Sequence, residues 1–182
     1  MKQLRCHGIV RLLATLFCFL AGLAAAHPAP PPTNATITVG EIFPDLTKYE
    51  FEGKLPSSLR GKIVVVDFWA SWCGTCQKTF PLMEELHYRY GNRGLVILAV
   101  NEDRSRAAME EFFKEHPVTF AVVRDPKRKL AADINVPALP TSYVLDGTGR
   151  VRSIQPGART AKNSKEFTKV IEALLKENRS LP

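Results

Sequence analysis

The sequence is poor in cysteine and histidine, with four of each among 182 residues. Cys6 and Cys18 lie within the first 26 residues, so residues 27–182 carry only Cys73 and Cys76. Any disulfide within that part of the chain must therefore join these two cysteines. A bridge across so short a loop adds little stability on entropic grounds, which favours a reactive cysteine pair over a structural one.

The sequence also lacks an apolar run of the roughly 20 residues that a membrane-spanning helix needs. A basic head of Lys2, Arg5 and Arg11 precedes an uncharged apolar run of 15 residues, which ends in three alanines before His27. This layout predicts a secretory signal peptide over residues 1–26 rather than a retained membrane anchor. We therefore expect export, into a periplasm if the source is bacterial.

The sequence has only a small excess of positive over negative charge once the leader is set aside. The formal net charge is +7, but the leader holds three basic residues and no acidic ones, which leaves +4 on residues 27–182. These charges are scattered, so the sequence gives no reason to expect a nucleic-acid partner. Residues 27–36 are rich in proline and predict a stiff linker, followed by one domain over residues 37–182.

The cysteine pair follows an apolar strand and precedes a helix. Residues 62–68 predict a strand buried on both faces, and residues 73–90 predict a helix with a kink at Pro81. Cys73 then lies at a helix N-terminus, where unpaired N–H groups and the helix dipole favour a thiolate. A C-x-x-C sequence in a βα pattern predicts a redox site.

Strands and helices alternate through the rest of the chain, which predicts a mixed sheet with helices on both faces. One or two short strands are expected in residues 37–51, and a helical turn in 56–60. The later strands are expected at 95–101, 120–124, 141–145 and 151–156, and the later helices at 105–116, with Ala108 facing inward, 126–132 and 163–178.

Two segments resemble the thioredoxin family. Residues 66–76, followed by Pro81, resemble its active-site strand and kinked helix, and Leu139-Pro140-Thr141 resembles its cis-proline loop. The helix and strand expected within residues 104–124 resemble the insertion of secreted TlpA/ResA-type reductases. The resemblance implies a thioredoxin-like α/β fold with a central mixed sheet.

The resemblance also implies a role for individual residues. Cys73 would be the attacking thiolate, Cys76 the resolving thiol, and Asp67 the buried acid that exchanges a proton with Cys76. A plainer role for Asp67 is that of a hydrogen-bonded acid at a strand end. An aspartate within so apolar a run is costly unless it is used, which favours the catalytic role.

Three more residues are expected at the substrate-binding surface. Pro140 corresponds to the family's cis-proline, which faces the disulfide and seats a substrate strand. Trp72 corresponds to the tryptophan that flanks the cysteines, and Leu139 is expected to be partly exposed beside the sulfurs.

The sequence departs from the family at several positions. Thr79 stands where ResA-like proteins commonly have a glutamate, and Ala99 stands where thioredoxins often have a lysine near the buried acid. Glu102 and Asp103 follow a predicted strand at the sheet edge where sites form, but we interpret them as solvated loop acids. Thr75 supplies no positive charge to stabilise a thiolate, which favours a reductase over an oxidase.

The leading hypothesis is a secreted thiol–disulfide oxidoreductase that reduces exported proteins, with cytochrome c maturation as one setting and a membrane-embedded electron donor. The alternatives are a disulfide oxidase or isomerase, and a carrier of Cu(I) or another metal held by two thiolates. His87 is eleven residues past Cys76, too far along a helix to complete a metal site, and His116 is expected at the surface. We expect a monomer with no cofactor and no bound metal.

Overall fold

The computed structural model describes residues 36–179. The expected signal peptide and all but the last residue of the expected linker lie outside this range. Within residues 36–179, no helix combines the length and the apolar character needed to cross a membrane.

The described residues contain six strands and five helices, with short 3-10 turns at Leu46–Lys48 and Gly91–Arg93. The strands are β1 (Glu52–Gly53), β2 (Ile63–Trp69), β3 (Leu95–Asn101), β4 (Ala121–Arg124), β5 (Thr141–Leu145) and β6 (Val151–Pro156). The helices are α1 (Gly74–Gln77), α2 (Phe80–Tyr90), α3 (Arg106–Glu115), α4 (Lys129–Asp133) and α5 (Ala161–Arg179).

The strands form one mixed sheet in the order β1-β4-β3-β2-β5-β6. Strands β2, β3 and β4 run parallel, whereas β1 and β5 pair antiparallel with their neighbours and β6 pairs antiparallel with β5. All seven residues of β2 are buried, as expected for a central strand covered on both faces. In its register, Asp67 lies opposite Ala99 of β3 and Ser142 of β5.

The two faces of the sheet carry separate hydrophobic cores, because alternate residues of a strand point to opposite faces. On one face, which we call the cysteine-side core, the strand residues pack with α2, α3 and α5; its members include Val65, Trp69, Cys73, Cys76, Phe80, Met83, Phe112, Phe167 and Ile171. On the other face, Val64, Val66 and Phe68 pack against α4 and the segment before β1. The predicted thioredoxin-like sheet with helices on both faces is confirmed.

The prediction for residues 37–60 is mostly wrong. Only the two-residue strand β1 and an isolated bridge between Ile42 and Arg150 form, and residues 56–60 contain no helical turn. Asp45 accepts hydrogen bonds from the backbone N–H and hydroxyl of Thr47, at 3.0 and 2.7 Å. An aspartate bonded two residues ahead stabilises a turn instead of a strand.

The helix predicted at 73–90 is two helices, α1 and α2, separated at Lys78 and Thr79. Pro81 therefore lies in the first turn of α2, where its missing N–H costs no intrahelical bond. The predicted inserted helix and strand exist as α3 and β4, although Ala108 is exposed instead of facing inward. Helix α4 begins later than predicted because Arg128, with φ of 52°, has a left-handed backbone.

Candidate active site

The two cysteines form a disulfide at the start of α1. The sulfur atoms are 2.08 Å apart and the Cα atoms 5.2 Å apart. Cys76 is fully buried, whereas Cys73 retains 7% of its accessible surface. Sγ of Cys73 accepts the backbone N–H of Cys76 at 3.2 Å and lies 3.3 Å from the Thr75 hydroxyl. Cys73 is therefore the more exposed member of the pair.

Asp67 lies on β2 beneath this pair. By alternation with Val65 and Trp69, it points to the face of the sheet that holds both cysteines. Its side chain is buried, and burial raises the pKa of the Asp67 carboxyl to about 6, against the opposing effects of a Ser142 hydrogen bond and the Arg159 charge. A carboxyl with that pKa can accept or release a proton near neutral pH.

A buried polar network holds the loop that leads into the cysteines. Asp103 accepts the Ser71 backbone N–H at 3.1 Å and the Ser71 hydroxyl at 3.1 Å, and it accepts the Asn101 amide at 2.8 Å. Gln77 donates to the Ser71 carbonyl at 3.3 Å. The interpretation of Asp103 as a solvated loop acid is wrong, because its carboxylate ties β3 to the active-site loop.

Glu102 is also buried, so the same interpretation is wrong for it. One carboxylate oxygen accepts from Arg128 Nε at 2.9 Å, and within residues 36–179 the other oxygen has no hydrogen-bond partner. Burial raises the pKa of Glu102 to about 7, while the hydrogen bond from Arg128 opposes that rise. A partly satisfied acid of this kind lowers stability once it ionises.

The three expected substrate-binding residues differ in exposure. Trp72 is 70% exposed directly before Cys73, which suits a surface contact. Leu139 is half-buried and packs against the cysteine-side core. The Leu139–Pro140 peptide bond is cis, as the resemblance implied, and Pro140 itself is buried. Their roles in binding a substrate stay predictions.

The described residues offer no cluster suited to a metal ion: within residues 36–179, no group of three or more His, Cys, Asp or Glu side chains converges. The imidazole of His87 packs edge-on against Phe120, with ring centroids 6.4 Å apart. His116 is exposed after α3, with its ring 4.6 Å from that of Phe112. The cysteine pair is therefore the chemically distinctive feature of this face.

Comparison with known proteins also indicates a thiol–disulfide exchange protein. The profile described as the AhpC/TSA family matches residues 39–154. This chain belongs to the AhpC/TSA family. It is similar to the thiol-disulfide oxidoreductase ResA of Geobacillus thermodenitrificans, at 32% identity over 76% of this chain and 81% of that protein. ResA of Bacillus subtilis is 31% identical over 75% of this chain and 78% of its own length.

A solved structure agrees on fold as well as sequence. A protein from Chlorobium tepidum, described as a thiol:disulfide interchange protein DsbE, superposes with a TM-score of 0.71 at 31% identity. The match covers 77% of this chain and 99% of that one. This member of the AhpC/TSA family is therefore an enzyme, a thioredoxin-like thiol–disulfide oxidoreductase.

Sequence reasoning missed two groups that act on the buried acid: Ser142, which contacts Asp67, and Arg159, which reaches it through Ser142. Ser142 donates its hydroxyl hydrogen to Oδ1 of Asp67, and Arg159 donates to the Ser142 oxygen. Ser142 could have been found from strand register, since it stands two residues after Pro140 on the neighbouring strand. Arg159 lies in the loop after β6, where no periodic pattern indicates which way a side chain points.

Proposed function

We propose that this protein reduces disulfides of exported proteins by dithiol exchange at Cys73 and Cys76. The observation that carries the proposal is the unequal exposure of a bonded pair, with Cys73 at the rim and Cys76 fully buried. Disulfide exchange needs one sulfur that a partner can reach and a second that only its neighbour can reach.

The first step uses Cys73 alone. Its thiolate attacks one sulfur of a substrate disulfide, the substrate S–S bond breaks, and the other substrate sulfur leaves as a thiolate. A mixed disulfide then joins Cys73 to the substrate. The exposed Trp72 and the loop at Leu139 and Pro140 flank the position that the substrate chain would take.

The second step uses Cys76 and Asp67. The Cys76 thiol loses its proton to the Asp67 carboxylate, and the resulting thiolate attacks Cys73 Sγ. The mixed disulfide breaks, the substrate leaves with both sulfurs reduced, and the Cys73–Cys76 disulfide forms. Two electrons pass from the protein to the substrate, and an external dithiol donor must return them.

The direction of the reaction is proposed from the surroundings of the cysteines. Within the turn, Cys73 Sγ lies 3.3 Å from the neutral hydroxyl of Thr75. A cation at that position would stabilise the thiolate and make the pair more oxidising. A neutral hydroxyl stabilises the thiolate less than a cation would, so the disulfide form is relatively more stable. This favours a reductase over an oxidase or isomerase.

The reduction potential of the Cys73–Cys76 couple tests this direction. Equilibration in a series of dithiothreitol redox buffers should give a reduction potential of about −270 mV, the value of thioredoxin. A value near about −120 mV, as for a strong oxidant, would overturn the reductase proposal and leave the oxidase. Thr75→His serves as an internal comparison, since the added imidazole should raise the potential.

The setting is a separate part of the proposal. We infer export from the predicted signal peptide, with a membrane-embedded donor recycling the pair and cytochrome c maturation as the use. Oxidised peptides with a C-x-x-C-H sequence, the haem-attachment motif, should be reduced faster than matched C-x-x-C peptides without the histidine. Equal rates would argue against this substrate class without touching the exchange chemistry.

A further inference from the structure

Arg159 reaches the buried acid from the loop between β6 and α5. Its Nη2 donates a hydrogen bond to Oγ of Ser142, and Ser142 donates in turn to Oδ1 of Asp67. The three side chains form one chain of hydrogen bonds from a cation to a carboxyl group. No role in the exchange steps above requires Arg159 or Ser142, so their placement calls for a reason.

The direction of this chain is fixed by chemistry. A guanidinium can only donate hydrogen bonds, so Ser142 Oγ must accept from Arg159. The single hydroxyl hydrogen of Ser142 is then committed to Asp67. An acid that receives a hydrogen bond from a donor backed by a positive charge is favoured in its ionised form.

Several contacts hold Arg159 in this position. Its guanidinium carbon lies 4.3 Å from the ring centre of Phe167, a fully buried member of the cysteine-side core. The backbone N–H of Gly157 donates to the Pro140 carbonyl at 2.7 Å, which ties the loop to the cis-proline. At the start of α5, Asn163 accepts the Thr160 N–H at 2.5 Å and donates to the Ala158 carbonyl at 2.9 Å.

The other elements packed around Asp67 supply no competing cation. Strand β3 places Ala99 opposite Asp67 and β5 places Ser142 there, while α1 places the Cys76 side chain on the same face of the sheet. The positive charge of Arg159 acts on Asp67 and lowers the pKa of its carboxyl, against the effect of burial. Its Nε and Nη1 are buried and, within residues 36–179, have no hydrogen-bond partner, so no acid is bonded to these two nitrogens.

We propose that Arg159, acting through Ser142, is a positioning residue that keeps Asp67 ionised at neutral pH, ready to accept the Cys76 proton. The inference rests on the proposed function, because it concerns the resolving step. The proton moves from Cys76 Sγ to Asp67, the Cys76–Cys73 bond forms, and the bond between Cys73 and the substrate breaks. Asp67 then releases the proton to solvent and returns to its ionised form beside Arg159.

The experiment separates the two exchange steps in time. Reduced protein is mixed in a stopped-flow instrument with excess 5,5′-dithiobis(2-nitrobenzoate), which releases one coloured thiolate on attack by Cys73 and a second on resolution by Cys76. Both rates are measured from pH 5 to pH 9. In Arg159→Met, the acid midpoint of the second release should move up by about one pH unit, which slows it about tenfold below that midpoint.

The controls distinguish an electrostatic role from a structural one. Arg159→Lys should keep most of the wild-type midpoint, and Ser142→Ala should shift it upward without removing the charge. In an Asp67→Asn background, Arg159→Met should cause no further shift. Arg152→Met, which removes an exposed arginine of β6 paired with Asp146 and Glu177, should leave both releases unchanged.

Each outcome decides the proposal. An unchanged second-release midpoint in both Arg159→Met and Ser142→Ala overturns it, and an equal slowing of both releases assigns a general structural role instead. If Arg159→Met does not fold, the Ser142→Ala midpoint alone decides. A wild-type protein that shows no second release contradicts the proposed function itself, which is a different result.

Discussion

Cys73 and Cys76 stand three residues apart but differ in what can reach them. The turn leaves part of Cys73 at the surface beside Trp72, while Cys76 is enclosed by the cysteine-side core. Asp67 lies on the same face of the sheet and is the acid that we propose exchanges a proton with Cys76. At the scale of single residues, the proposed mechanism therefore separates attack by Cys73 from resolution by Cys76, and each role can be tested by itself.

Replacing Cys76 with serine should stop the reaction at the mixed disulfide. The Cys76→Ser variant keeps the Cys73 nucleophile but lacks the thiol that releases the substrate. Non-reducing electrophoresis and mass spectrometry should find substrates bonded through Cys73. The matched variant Cys73→Ser should trap almost nothing, and equal trapping by both would contradict the assigned order.

Replacing Asp67 with asparagine should slow resolution and leave the first attack nearly unchanged. The amide cannot accept the Cys76 proton, and loss of a general base typically costs about 10²-fold or more. Rapid-mixing kinetics at pH 7 should show this loss in the second step alone. Asp133→Asn, on α4 at the opposite face, is the matched control; a similar loss there would argue against a specific role for Asp67.

The element that shapes the site is the interrupted helix after the cysteines. Thr79 lies in the interruption, where its hydroxyl donates to the Cys76 carbonyl at 2.7 Å and its backbone N–H to the same oxygen at 2.9 Å. These bonds end α1 after one turn and allow α2 to begin again with Pro81 in its first turn. Threonine therefore has a structural role at position 79, where ResA-like proteins commonly have a glutamate.

Thr79→Val should lower the free energy of unfolding by about 1 kcal/mol, because the buried hydroxyl bond to Cys76 is lost without a change in shape. Urea denaturation of the oxidised protein measures this. Thr168→Val is the control, since Thr168 makes a similar bond to the Ser164 carbonyl, 3.0 Å long, on a half-buried face of α5. An equal loss in both variants would remove any special role for the interruption.

The elements predicted best from sequence were those with a strong local pattern. Strand β2 is apolar apart from Asp67, and the order of strands and helices after it follows the predicted alternation. The segment before β2 was predicted poorly because Asp45 forms a turn through its own side chain. The burial of Asp103 was not predicted because it depends on hydrogen bonds with Ser71 and Asn101. Ser71 is distant in sequence, and no periodic pattern marks Asn101 as a partner.

At the scale of the whole molecule, two buried acids oppose stability. Burial raises the pKa of Asp67 to about 6 and that of Glu102 to about 7. In the unfolded chain a glutamate titrates near roughly 4.3 and an aspartate near roughly 3.9. Between those values and the folded pKa values, the unfolded state loses its protons first, so the contribution of these two acids to stability falls as pH rises from about 4 to about 7.

Glu102→Gln should remove part of this fall. The variant and the wild type should be nearly equally stable at pH 4, where Glu102 is mostly protonated in both the folded and the unfolded state. At pH 8.5 the variant should be more stable by about 2 kcal/mol, because a buried charge is no longer formed. Urea denaturation at the two pH values measures the difference. Glu110→Gln, on the exposed face of α3, should show no such pH dependence, and the same absence in Glu102→Gln would contradict the account.

The central claim is that two electrons leave the protein through Cys73 and Cys76 together. Fully reduced protein is mixed with one equivalent of insulin under anaerobic conditions, quenched with acid, alkylated and weighed by mass spectrometry. The account predicts one Cys73–Cys76 disulfide for each insulin disulfide converted into two thiols. Insulin disulfides left intact, with both protein thiols still free at equilibrium, would contradict it.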